Sequence, residues 1–338
     1  MVGVNIGDTL TPTPWAPEKI EQALAQARSS GYFSCDAVKF WHCDASRVLP
    51  TAQHDHIRKV MVHANNHEML SVSDWRAWVE THLSPVVGGL RGQRVHKEIF
   101  LAVGNEALAP WHVEMFGRRL VPCMREVYTA LQQTGLSDRV KLVTPLEMSI
   151  LGASYPPSAG QVAEAHLEVV SEVVRLLVRI GSPFCINVYP FFARQHASQD
   201  FVLFGPDEGY TDGEGGCLRY TNMFDAQFDA VVTGISKLKD CIVGADQLEM
   251  VVTEVGWPTA GSDMADKESA RRFTAGATLA STRELRSGRA TWTCTSSSCT
   301  TSARRTAPPT RSTSASSTSE GAPSNMASPL SSPRELRW

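Results

Sequence analysis

The sequence predicts an α/β fold, specifically a (β/α)8 TIM barrel, and three observations support this prediction. Short apolar runs alternate with amphipathic segments along the 338 residues, which is the pattern of parallel strands joined by helices. Polar residues end these runs, so the carboxyl ends of the strands should form one polar rim. No Gly-rich phosphate loop follows any of the runs, which disfavours a doubly wound nucleotide-binding sheet.

Seven strands are predicted before residue 260. They are Val2–Ile6, Ala37–Trp41, Val60–Ala64, Ile99–Val103, Val140–Thr144, Phe184–Tyr189 and Met250–Glu254. Between them, apolar residues recur at helical spacing over Glu18–Ser29, Val162–Ile180 and Asn222–Leu238. A closed barrel needs an eighth strand, and nothing after Trp257 has the composition of a buried strand.

The composition of the chain changes after residue 270. Residues 271–338 contain ten Arg, no Lys, no Asp and three Glu, a charge of +7 that leaves −10 on residues 1–270 out of the total of −3. We therefore divide the chain into a barrel, 1–270, and a Ser/Thr/Arg/Pro tail, 271–338. A disordered or O-glycosylated stalk has such a composition, but so does GC-rich DNA translated in the wrong frame.

The genetic code allows the second explanation to be examined on the protein sequence. In the shifted frame, each codon consists of the last base of one codon and the first two bases of the next. Across Trp292–Thr293 these bases are GAC, which encodes Asp. The same shift then permits an apolar run that ends in acids, and it permits Glu-His-Phe-Gly-Leu-Phe within Pro309–Ser319. We therefore expect the eighth strand and the last helix to be lost to an out-of-frame tail, with the slip between about Arg271 and Arg289. Sequencing the transcript tests this hypothesis.

Two of the predicted strands bring a carboxylate to the rim. Glu106 follows the fourth strand after Gly104-Asn105, and Glu254 ends the seventh strand just before Gly256. A glycosidic bond is cleaved by a pair of carboxyl groups, one that protonates the leaving oxygen and one that attacks the anomeric carbon or activates water. A single Glu at a strand end is more often a solvated acid. Two such residues, each at the end of an apolar run and two positions from a glycine, indicate catalysis.

Other residues at the strand ends are candidate substrate contacts, with a packing role as the alternative for each. They are Asn5, Trp41, Asn105, Asn187, Tyr189 and Trp257. Metal binding by His63 and His67 is not expected. The eight cysteines contain no CxxC pair, which leaves zinc and redox motifs unsupported and favours buried free thiols.

These motifs resemble those of glycoside hydrolase family 17, the plant-type β-1,3-glucanases. The segments that carry the resemblance are Val2–Gly7, Val103–Glu106, Tyr155–Gly160, Asn187–Phe192, Tyr220–Asp225 and Thr253–Thr259. The resemblance implies a (β/α)8 barrel that hydrolyses β-1,3-glucan with retention, with Glu106 as acid/base and Glu254 as nucleophile. Lys39-Phe40-Trp41 departs from the family's usual Arg-aliphatic-Tyr. The family's aromatic-Asp/Asn-Glu at the eighth strand and its Glu-x-x-Phe-Gly-Leu-Phe segment can be read only in the shifted frame.

The resemblance implies a glucan endo-1,3-β-glucosidase that acts on a polysaccharide without a cofactor. The alternatives are a β-1,3-glucan transglycosylase, or an inactive carbohydrate-binding barrel that its tail leaves open. We expect a monomer with no metal, no nucleic-acid partner and no membrane span, since no apolar run approaches about 20 residues. The family is mostly secreted, to the extracellular space or cell wall, whereas no signal peptide precedes the first predicted strand, so the localisation stays open.

Overall fold

The structure, a computed structural model, describes residues 2–6, 16–29, 35–212, 218–282 and 293–296. The strands of the described residues are β1 Val2–Ile6, β2 Ala37–Phe40, β3 Lys59–Ala64, β4 Glu98–Val103, β5 Val140–Val143, β6 Pro145–Glu147, β7 Leu151–Ala153, β8 Gln161–Val162, β9 Phe184–Asn187, β10 Tyr210–Asp212, β11 Leu218–Tyr220, β12 Met250–Val255 and β13 Thr293–Ser296. All seven predicted strands are present. The expected loss of the last helix concerns residues outside the described ranges, as does Pro309–Ser319.

Nine of these strands form one parallel sheet in the order β5-β4-β3-β2-β1-β13-β12-β9-β6. The two ends of this order are consecutive in the chain, because only Thr144 separates β5 from β6. One stretch of chain therefore pairs with β4 through its first half and with β9 through its second half. The order returns to its starting segment after eight positions, which is the topology expected of a (β/α)8 barrel.

The eighth position of the sheet is occupied by a segment in which the sequence analysis predicts no buried strand. Thr293–Ser296 pairs in parallel with β1 on one side and with β12 on the other. Backbone N–H and C=O groups make such ladders, so Thr-Cys-Thr-Ser can take the position without the apolar pattern on which the prediction relied. Thr293–Ser296 lies at the same sequence positions as part of the apolar run that is read in the shifted frame. The slip itself is a statement about the coding DNA and stays a prediction.

Apolar side chains cover both surfaces of the sheet, because successive residues of a strand point to opposite faces. A cluster distinct from the main core is formed by Ala37, Met61, Phe100, Ala102, Val143, Cys185 and Val251. These residues come from six barrel strands, as expected of the layers that fill a barrel interior. The other apolar strand residues pack in the main core with residues of the helices. Polar groups are thereby left to the carboxyl ends of the strands.

The α-helices of the described residues pack around the sheet. They are α1 Pro17–Ser29, α2 Ala45–Ala52, α3 Glu68–Ser71, α4 Trp75–Trp78, α5 Ser84–Gly89, α6 Arg118–Gln133, α7 Glu164–Ile180, α8 Gln199–Val202, α9 Met223–Ser236 and α10 Lys267–Thr282. The three helices predicted from apolar spacing correspond to α1, α7 and α9. Helix α10 runs across the boundary that the sequence places after residue 270. In the described part of the chain, no helix has the length and apolar character needed to cross a bilayer.

Four described cysteines are buried free thiols, as predicted. They are Cys35, Cys43, Cys123 and Cys185. Burial raises the pKa of Cys35 to about 11 and that of Cys123 to about 12, so both stay protonated at neutral pH. Cys241 is also free but is exposed, which differs from the prediction.

Candidate active site

The two predicted catalytic carboxylates meet at the carboxyl ends of the barrel strands. Asn187, the last residue of β9, donates hydrogen bonds from Nδ2 to Glu106 Oε1 at 3.0 Å and to Glu254 Oε1 at 2.8 Å. Glu106 and Glu254 are 7% and 6% exposed. Because one nitrogen reaches both acceptors, the two Oε1 atoms lie less than about 6 Å apart. Residues separated by most of the barrel in sequence therefore share one site.

A β-bulge in β12 aims Glu254 into the mouth of the barrel. The pairing of β12 with β9 shifts register between Val252 and Glu254, which makes Thr253 the additional residue. Neighbouring residues of a regular strand point to opposite faces. Here Thr253 Oγ1 donates to Asn187 Oδ1 at 2.6 Å, while Glu254 accepts from Nδ2 of the same amide. The bulge thus brings two successive side chains to one side of the sheet.

Three donors hold the Glu254 carboxylate. Lys39 Nζ and Asn187 Nδ2 each donate to Oε1 at 2.8 Å, and Tyr189 Oη donates to Oε2 at 2.7 Å. Lys39 is fully buried, so its ammonium group and the carboxylate form an ion pair inside the protein. The contacts fix both oxygens of Glu254 at the mouth, which is what an oriented nucleophile requires.

The backbone that carries Glu106 is in an unusual conformation. Gly104 and Glu106 have φ angles of 65° and 51°, in the left-handed region. A Cβ on Gly104 would meet Met69 Sδ at 2.6 Å and Asn66 Oδ1 at 2.8 Å, so the position requires glycine for conformation and for space. Glu106 adopts this conformation with a full side chain, a strained arrangement that the surrounding contacts must hold.

Contacts from the loops that follow β3 and β4, and from the first residue of β6, hold this turn. Asn66 Nδ2 donates to Asn105 O at 2.9 Å, and Asn105 N donates to Asn66 Oδ1 at 2.7 Å. Glu106 N donates to Pro145 O at 2.8 Å, and His112 Nδ1 lies 3.1 Å from Glu106 O. Asn105 also lies within the site, since its Oδ1 accepts from Asn187 Nδ2 at 3.4 Å. The position of the Glu106 carboxyl is therefore set by backbone contacts on both sides of it.

Polar and aromatic groups of the first three strands lie next to the Lys39 ammonium. Its Nζ lies 4.3 Å from the centre of the Trp41 ring, on which the His63 ring stacks at 5.2 Å and 25°. Burial, and then the charge of Lys39, lower the pKa of His63 well below its usual value. His63 Nδ1 lies 2.7 Å from Phe40 O and so carries the proton of the neutral ring. In the described residues, His63 Nε2 and both amide atoms of buried Asn5 lack a partner.

Trp257 does not join these residues, which corrects its assignment as a substrate contact. Its side chain is only 3% exposed, and Nε1 donates to Met264 O at 2.7 Å. The indole packs against Phe191 and Phe273 at ring distances of 5.0 and 5.2 Å. The Gly-Trp-Pro motif therefore anchors the loop after β12 to the core instead of presenting an open ring to a sugar.

Three residues of the site were missed as site residues by the sequence analysis. Lys39 gave a signal, because a Lys inside an apolar strand needs a buried partner. Asn66 gave a weaker one, as the second of two Asn after the third strand. Thr253 gave none, since a bulge depends on the neighbouring strand and not on local composition. Among the described residues, no group of His, Cys, Asp and Glu is placed to bind a metal ion.

Comparison with known proteins identifies the family. The model of "Glycosyl hydrolases family 17" matches residues 34–284. The chain belongs to this family. Its similarity to the "Putative glucan endo-1,3-beta-glucosidase GVI" of Hordeum vulgare is 31% identity over 267 residues, which are 77% of this chain and 75% of that protein. "Glucan endo-1,3-beta-glucosidase 7" of Arabidopsis thaliana is also 31% identical, over 77% of this chain and 49% of its own length.

The family's fold is confirmed by a solved structure. "CJP38, a beta-1,3-glucanase and allergen of Cryptomeria japonica pollen" superposes with a TM-score of 0.73 at 28% identity, covering 87% of this chain and 88% of that chain. The chain spans about half of the length, or somewhat less, of several curated relatives it matches. What those whole proteins do is therefore carried to this family 17 chain as a proposal.

Proposed function

We propose that this chain is a retaining endo-β-1,3-glucanase in which Glu254 is the nucleophile and Glu106 the acid/base. The observation that carries the proposal is the contact of one amide nitrogen, Asn187 Nδ2, with both carboxylates. The separation that this contact permits, less than about 6 Å, fits the ~5–5.5 Å of retaining glycosidases and is below the ~6.5–9.5 Å of inverting ones. The substrate class is supported by family membership and by relatives named glucan endo-1,3-beta-glucosidases.

The reaction divides between the two carboxyl groups. Glu106 donates its proton to the glycosidic oxygen while Glu254 attacks the anomeric carbon, so that the carbon–oxygen bond breaks as the glycosyl ester forms. Glu106, now a carboxylate, takes a proton from water, and the resulting hydroxide displaces Glu254 from the anomeric carbon. Two inversions give overall retention. Lys39, Asn187 and Tyr189 keep the Glu254 oxygens aligned for the attack.

Three measurements test this proposal. Proton NMR of laminari-oligosaccharide hydrolysis should show the β-anomer first, and a 2-deoxy-2-fluoro laminaribioside should label the peptide that contains Glu254. Glu254→Gln should abolish hydrolysis while glucan binding remains. Glu147→Gln is a matched control, because Glu147 is another rim acid whose carboxylate accepts from Ser149 N at 2.7 Å. Initial release of the α-anomer, or a label on another peptide, contradicts the assignment. Longer chains formed at high oligosaccharide concentration would identify transfer instead of hydrolysis.

We also propose that the residues after the frame slip are translated in the wrong frame. They would stand in place of the sequence that other members of the family have at these positions. The family match ends at residue 284, inside the interval predicted for the slip. Helix α10, Lys267–Thr282, ends just before that point. The coding DNA between residues 265 and 295 tests this directly, and an uninterrupted frame that matches the printed tail would refute it.

A further inference from the structure

Two large apolar side chains are exposed in the loop that follows the fourth barrel strand. Trp111 is 56% exposed and Met115 is 61% exposed. The backbone between them is helical, since the N–H groups of Met115 and Phe116 both donate to His112 O. Residues four apart on a helical turn lie on one face. Trp111 and Met115 therefore form one apolar surface, whereas Phe116 of the same turn is buried.

This turn is fixed close to the acid/base. Ala109 N donates to Glu106 O at 3.0 Å, and His112 Nδ1 lies 3.1 Å from the same oxygen. The His112 ring also packs edge-on against Phe116 at 5.4 Å. Since Trp111 precedes His112 directly, the indole is carried on a short, anchored segment of the rim.

The strand order indicates on which side of the reacting bond this surface lies. Asn66 Nδ2 lies 3.4 Å from His112 Nδ1, which ties the turn to the end of the third barrel strand. Glu254 is the penultimate residue of β12, the seventh barrel strand, which is separated from the third by three other barrel positions on either side. The turn therefore lies on the side of the site that carries Glu106. If Glu106 protonates the leaving oxygen, as in the proposed function, this is the side on which the leaving part of the glucan would be bound.

We propose that Trp111, with Met115 beside it, is a platform for a glucose ring on the leaving-group side of the scissile bond. The inference rests on the proposed function and adds a binding subsite to it. The C–H face of a β-linked glucose is apolar and flat, so it can cover the indole while the hydroxyl groups stay in water. Contact there removes the apolar surface of both side chains from solvent.

The test compares two substrates that differ only in what they place on the leaving side. Laminarihexaose places sugar units on that side. In β-laminaribiosyl fluoride the leaving group is only a fluoride ion, which does not reach the platform. Trp111→Ala should lower kcat/KM for laminarihexaose by about tenfold or more and leave fluoride release within about twofold of wild type. Trp111→Phe keeps a smaller ring, so its kcat/KM for laminarihexaose should lie between those of wild type and Trp111→Ala.

Leu279→Ala is the control variant. It removes an equally exposed apolar side chain, 62% exposed, near the C-terminal end of α10 and thus at the end of the barrel away from the mouth. This variant should match wild type on both substrates. Equal losses of Trp111→Ala on both substrates, or no loss on either, overturn the platform while the glucanase activity of wild type stands. The variants are made in the frame-corrected chain, and a frame-corrected chain that turns over neither substrate refutes the proposed function and the platform with it.

Discussion

Lys39 provides the sharpest test of how the site is held together. Its ammonium group is fully buried, lies 2.8 Å from Glu254 Oε1 and 4.3 Å from the centre of the Trp41 ring. Replacement by Met keeps a straight side chain of similar length but removes the charge and the donor. Replacement by Arg keeps the charge, and Arg is the residue that the family resemblance places here.

The expected size of the effect comes from what Lys39→Met leaves behind. Removing one partner of a buried ion pair costs about 3–5 kcal/mol. Glu254 would keep its bonds to Asn187 Nδ2 and Tyr189 Oη, so the lower end of that range applies. If about 3 kcal/mol of transition-state stabilisation is lost because Glu254 is no longer held in place, kcat falls about 100-fold. Lys39→Arg should stay within about tenfold of wild type, because the charge remains.

The assay is the release of fluoride from β-laminaribiosyl fluoride, which needs the nucleophile but no acid. Lys39→Met should lower kcat far more than it raises KM, since Lys39 contacts Glu254 and acts on the sugar only through it. Circular dichroism and thermal melting show whether the variant is folded. A folded Lys39→Met enzyme with kcat within threefold of wild type would refute the reasoning. So would an Arg variant as slow as the Met variant.

Three further changes have defined outcomes. Glu106→Gln should lose about 1,000-fold or more on laminarin but keep β-laminaribiosyl fluoride turnover within about tenfold, because fluoride leaves without a proton; equal losses would remove Glu106 as the acid. His63→Gln should reduce the pH dependence of stability. Burial holds the pKa of His63 well below its usual value of 6.5 in the folded chain, so wild type should lose stability, by at most about 1.4 kcal/mol per pH unit, as the pH falls below 6.5; urea unfolding at pH 7 and 5 measures this, and identical losses in both proteins contradict it. The frame-corrected chain should hydrolyse laminarin well, while the printed chain folds poorly and is nearly inactive, and equal activity of the two would refute the slip.

The parts of the site that depend on local sequence could be predicted, and those that depend on distant partners could not. Glu106 and Glu254 follow apolar runs that end in Gly-punctuated turns, which is a pattern readable within ten residues. Lys39 and Glu254 are 215 residues apart in sequence, so their ion pair follows only from the strand order. The eighth strand was missed for a related reason: Thr293–Ser296 pairs through its backbone, and its side chains carry no strand pattern.

The bulge at Thr253 explains why the two carboxylates can share one amide. Asn187 Nδ2 has two hydrogens, and its two shorter contacts, at 3.0 and 2.8 Å, are to Glu106 and Glu254. This orientation of the amide requires its oxygen to face a donor, and Thr253 Oγ1 supplies one at 2.6 Å. In a regular strand, either Thr253 or Glu254 would point away from Asn187. The irregularity in the seventh strand therefore orients the amide that links both carboxylates, and it places the proposed nucleophile, Glu254, and the Thr253 hydroxyl on the same side of the barrel wall.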